Sequence, residues 1–88
     1  MNDQTKEILT VLQEEAAEVI VEVSKCLRFG PNEQNIERLN KELGDLLLMV
    51  DLLIDERVGV TGSKIFEAKH QKIKKLEIYS NIKIKNKE

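Results

Sequence analysis

Four carboxylates stand in two pairs at one spacing: Glu15 with Glu18, and Glu42 with Asp45, each i, i+3. On a helix that spacing puts both acids of a pair on one face, a turn apart. Two such pairs on facing antiparallel helices would gather four carboxylates around one pocket. Four bare negative charges repel one another. A hard divalent cation resolves this, and Mg²⁺ in particular takes oxygen ligands while keeping positions for water and substrate phosphates. Softer metals do not suit the set: His70 is the single His, and Cys26, the single Cys, falls among apolar positions. For one acid pair alone, a solvated or Lys-bridged helix face is the plainer reading. Two pairs that both edge into apolar arcs weaken it.

Three helices must position these groups. From about Gln4 to Arg28 no Gly or Pro occurs, and Ile8, Leu12, Val19, Val23, Cys26 and Leu27 recur at the helical period. Phe29-Gly30-Pro31-Asn32 ends that segment, with Gly30 suited to a left-handed C-terminal position. Asn32 or Asn35 can cap a second helix running to about Glu56. A loop with two glycines follows, and Ser63 is expected to open a third helix ending near Ser80. Residues 81–88 alternate Ile with Lys or Asn and are expected to fray. The expectation is an all-α fold: one three-helix domain over residues 1–80 and a polar tail.

Both acid pairs sit oddly on these helices. With Leu39 at zero and about 100° per residue, Glu42 falls near 300°, between Met49 and Leu53, and Asp45 near 240°, between Leu52 and Met49. Glu15, Glu18 and Glu22 line an edge of the apolar arc of the first helix, with Lys25 just beyond. Unpaired buried carboxylates cost several kcal/mol, so such acids need a reason. The third helix has the complementary anomaly, with Lys69 inside the arc of Ile65, Ile73 and Leu76 and Lys72 at its edge. Either Lys can snorkel to water. Beside a carboxylate–metal pocket, an inward Lys can clamp phosphate. The second helix is apolar nearly all round, from Ile36 and Leu39 to Leu53 and Ile54. Two neighbours within so short a chain cannot cover it, so it is expected to form the seam of a homo-dimer or homo-tetramer.

Composition closes several alternatives. Eighty-eight residues allow one domain, and a lone Cys excludes a disulfide framework. With no export signal, a reducing, cytoplasmic setting is the expectation. Residues 46–54, interrupted by Asp51, are too short to span a bilayer, so no membrane role is expected. Aromatics are 3% of the chain, too few for the stacking platforms of single-strand nucleic-acid binders. The net charge of −2 hides a split: residues 1–63 carry six Lys/Arg against thirteen Asp/Glu, and residues 64–88 carry eight Lys against three Glu. The basic segment alone could bind nucleic acid, but the acidic body opposes it, so no nucleic-acid partner is expected.

The same residues carry a family resemblance. Glu14-Glu15-Ala16-Ala17-Glu18 followed by Glu42-Leu43-Gly44-Asp45 resembles the EExxE…ExxD signature of the MazG-like all-α nucleoside triphosphate pyrophosphohydrolases. Ser24-Lys25-Cys26-Leu27-Arg28-Phe29-Gly30 is similar to a stretch of small members, often phage-encoded, which act in the host cytoplasm. The likeness runs from about Leu12 to Ser80. It implies that Glu15, Glu18, Glu42 and Asp45 bind Mg²⁺, and that Glu14 or Glu15 orients the attacking water. It further implies that Lys25, Arg28 and Lys69 meet phosphate, and that His70 lies near the nucleotide. The implied reaction is water attack at the α-phosphorus of a (deoxy)nucleoside triphosphate, releasing the monophosphate and pyrophosphate. Ser24 and Cys26 lack the partners of a nucleophile and are expected to be structural. The rival expectation is a non-catalytic helical dimerisation module.

Overall fold

Asn2 and Asn32 each accept a hydrogen bond from the backbone N–H three residues on, those of Thr5 (2.7 Å) and Asn35 (2.9 Å), and a helix begins behind each. In the computed structural model, which describes residues 1–85, these are α1 (Asp3–Phe29) and α2 (Glu33–Asp55); α3 spans Gly62–Tyr79. The described residues contain no strand, and the fold is all-α as expected. None of the helices is long and apolar enough to cross a membrane.

The turn between α1 and α2 depends on Gly30. Its φ of 92° and ψ of 155° form an extended, glycine-specific conformation rather than the left-handed helical one expected from sequence. Its N–H donates to the Cys26 carbonyl at 2.9 Å, and its own carbonyl accepts from Asn35 Nδ2 at 3.0 Å. Asn35 is buried in making this contact, so it closes the turn while Asn32 caps the helix.

The chain divides into two units: Met1–Val58, which holds α1 and α2, and a second from Gly59 onward, which holds α3. In the first unit α1 and α2 pack side by side as an antiparallel hairpin. At the end away from the turn, the hydroxyl of the buried Thr5 donates to Glu56 Oε1, and Gln4 Nε2 donates to Glu56 Oε2 at 2.9 Å. Ile8 and Leu53 are the buried apolar side chains among the described residues, while Leu12, Val19, Leu39, Leu46 and Met49 are half-buried along the seam. Leu27, Leu47 and Leu48 are 82%, 62% and 56% exposed. Within the hairpin, α1 thus leaves much of the apolar surface of α2 uncovered.

In the second unit α3 opens one residue earlier than the expected Ser63. Thr61 is the cap, with its hydroxyl oxygen accepting from the Lys64 N–H at 3.1 Å, and Gly62 is the first helical residue. The Phe66 ring packs on His70 with centroids 4.4 Å apart. Residues 81–85 adopt neither helix nor strand. The remainder of the expected frayed tail, residues 86–88, lies outside the described residues.

Candidate metal centre

Glu15 stands midway along α1, and Glu42 and Asp45 stand on consecutive turns of α2. Antiparallel packing brings the three together: one oxygen from each lies within 4.8 Å of the others. All three are half-buried. Glu15 Oε2 is almost without exposure and has no hydrogen-bond partner. Burial pushes the Glu15 carboxyl above its ordinary pKa. The charge of Asp45 adds to this, as does the interaction with the Glu42 carboxylate, while Lys41 opposes it. An orphaned oxygen among crowded acids suits a hard cation, since the donor set is oxygen alone.

Glu18 does not join this group. It is exposed on α1, one turn beyond Glu15. Glu14 is also exposed. Thus the i, i+3 pair on α2 converges as the spacing suggests, whereas its counterpart on α1 contributes Glu15.

The side chain that does meet the acids is one the sequence reasoning passed over. Lys41 Nζ lies 3.0 Å from Asp45 Oδ2 and 3.5 Å from Glu42 Oε1. The hydrogen bond to Asp45, then its charge, then Glu42, raise the Lys41 pKa. Its position four residues before Asp45 was the available signal.

Of the expected phosphate-binding cations, Lys25 and Arg28 stand on α1, in the same unit as these acids. Lys25, seven residues past Glu18 and so roughly 10 Å farther along α1, has Nζ at 3.5 Å from Glu22 Oε2. Glu22 is buried, and its other oxygen has no partner, so this acid is inside the hairpin rather than at its edge. Arg28 lies over the Phe29 ring at 4.9 Å. Lys69, Lys72 and His70 belong to the second unit, where the two lysines are exposed and His70 is half-buried against Phe66. Ser24 and Cys26 are half-buried on α1, and Cys26 is a free thiol.

Residues 3–78 of this 88-residue chain match the family model described as the MazG nucleotide pyrophosphohydrolase domain. With the match running over most of its length, the chain belongs to that family. No curated protein and no solved structure matches it. Members are all-α, generally depend on a divalent metal, and act as nucleotide pyrophosphohydrolases.

Proposed function

We propose that this member of the MazG family is a Mg²⁺-dependent nucleoside triphosphate pyrophosphohydrolase, cleaving a (deoxy)nucleoside triphosphate to its monophosphate and pyrophosphate. The observation that carries the reading is the convergence of Glu15, Glu42 and Asp45 from two helices onto one point. These three would hold the cation. Glu18, exposed one turn away, is the fourth ligand that the family resemblance implies. When bound, Mg²⁺ supplies polarisation of the phosphate oxygens and offsets the charge that develops on them.

The chain's own groups do the rest. A carboxylate on α1, Glu15 or the exposed Glu14, orients a water toward the α-phosphorus and accepts its proton. The water oxygen bonds to that phosphorus as the bridging oxygen departs with pyrophosphate, so no side-chain nucleophile is needed. Lys25 and Arg28 are the candidate phosphate-binding cations of the first unit. For Lys69 and His70 the resemblance is the support, and for Lys72 its place at the edge of the apolar arc of α3; a raised KM in Lys69→Ala is the corresponding test. The exposed Leu47 and Leu48 support assembly into a homo-dimer or homo-tetramer.

The test is pyrophosphate release from a panel of nucleoside triphosphates in ¹⁸O-labelled water, with Mg²⁺ or with chelator. Metal-dependent release with the label in the monophosphate is expected. Label in pyrophosphate would move the attack to another phosphorus. The rival reading, a non-catalytic dimerisation module, draws on the Lys41–Asp45 ion pair, the kind of bridge that a solvated helix face carries. It requires that no nucleotide in the panel be cleaved.

A further inference from the structure

Lys41 is neither a metal ligand nor one of the phosphate cations implied by the family resemblance, yet its ammonium is the one that meets the acid cluster among the described residues. It reaches along one turn of α2, touching Asp45 at 3.0 Å and Glu42 at 3.5 Å, the two acids that converge with Glu15. Its side chain is 69% exposed, so it lies over the acids from the solvent side instead of being packed among them. We infer that Lys41 is the resident counter-ion of the metal-free cluster, an ammonium that a divalent cation must displace from Asp45 and Glu42 before it can bind them. This rests on the metal-site reading above and adds a regulatory element to it.

The physical argument is competition for the same oxygens. Three carboxylates within 4.8 Å need positive charge nearby, and in the metal-free protein Lys41 supplies it without closing the site. A long, unbranched stem with an exposed head can leave by rotation alone, with no movement of either helix. Lys41 also has somewhere to go. It lines a shallow groove on α2 with Gln34, Glu37 and Arg38, and Glu37 stands four residues before it. A Glu four residues N-terminal to a Lys is the favoured ion-pair order on a helix. Lys41 can therefore exchange Asp45, one turn on, for Glu37, one turn back. The displaced charge stays near the cluster, which keeps metal affinity below what the acids alone would give.

Binding of Mg²⁺ alone, without nucleotide, to the full chain tests this by calorimetry, together with melting temperatures in chelator and in saturating Mg²⁺. Lys41→Met keeps most of the stem and removes the charge. It should bind Mg²⁺ about two- to fivefold more tightly, the range that one exposed ion pair supports. Its melting temperature should fall below wild type in chelator and recover in Mg²⁺. Lys41→Arg should show no such gain. Lys6→Met, which removes an exposed charge from α1 near the far end of the hairpin, should bind as wild type does. Unchanged or weaker binding in Lys41→Met, or an equal gain in Lys6→Met, would overturn the counter-ion role while leaving the metal site standing, provided Glu42→Gln still loses Mg²⁺. Absence of Mg²⁺ binding in wild type would instead sink the metal site and the counter-ion together.

Discussion

Glu15 is where the electrostatics of the centre are most exposed to experiment. Its folded-state pKa is raised, first by burial, then by Asp45 and Glu42. A raised carboxyl means that the folded protein holds this proton to higher pH than the unfolded chain does. Metal-free stability from this group is therefore full at low pH and declines as pH rises through the ordinary carboxylate value toward the raised one. Melting curves in chelator across that window should show the decline, and Glu15→Gln should flatten it. Mg²⁺ affinity should rise over the same window, because the metal competes with the proton. The paired acids were legible from spacing alone, since i, i+3 fixes a face. That Glu18 would stay exposed was not, because its placement depends on how α1 turns against α2. Lys41 was legible too, four residues before Asp45, but an exposed Lys in an acidic helix looks like ordinary surface until its partners are seen.

The helical elements followed closely from punctuation. Gly30, Pro31 and Asn32 mark a stop, a break and a cap in successive positions, and α1 and α2 meet there as expected. The conformation of Gly30 was not legible, because Asn35 reaches back five residues to set it. Gly30→Ala should cost about 1–3 kcal/mol, the usual strain of a side chain in that backbone region. A Cβ there meets nothing within 4 Å, so the loss would be conformational rather than steric. Urea unfolding measures it, and an unchanged midpoint would contradict the assignment. At the opposite end, Thr5→Val removes the buried hydroxyl that binds Glu56 and should cost about 1.5–3 kcal/mol, as hydrogen bonds to charged groups do. Sequence offered no hint of that pair, because its members lie 51 residues apart. For α3, Thr61 and Ser63 are both competent caps, and the choice fell to Thr61, whose hydroxyl is the one that binds the Lys64 N–H.

At the scale of the molecule, the feature that decides most is what the hairpin fails to cover. Ile8 and Leu53 are its buried apolar side chains among the described residues, while Leu43, Leu47, Leu48 and Leu52 of α2 are all exposed. The sequence carried this as an all-round apolar helix, and α1 leaves that surface of the hairpin uncovered. Sedimentation equilibrium should find a dimer or tetramer. Leu47→Glu, which places a charge on this surface, should shift the protein toward monomer and lower its melting temperature. A wild-type monomer at micromolar concentration would contradict the assembly. The division of charge between an acidic body and a Lys-rich end was equally visible in the sequence, but a count of charges does not say which lysine meets which acid.

The central claim is that Glu15, Glu42 and Asp45 form a metal centre for nucleotide hydrolysis, and one substitution tests it most directly. Pyrophosphate release should be measured for wild type and Glu42→Gln with saturating Mg²⁺, on the nucleotide that wild type prefers. The account predicts that Glu42→Gln folds, melts higher than wild type in chelator because a repulsive charge is gone, and releases no pyrophosphate. A folded Glu42→Gln protein with wild-type turnover would contradict it.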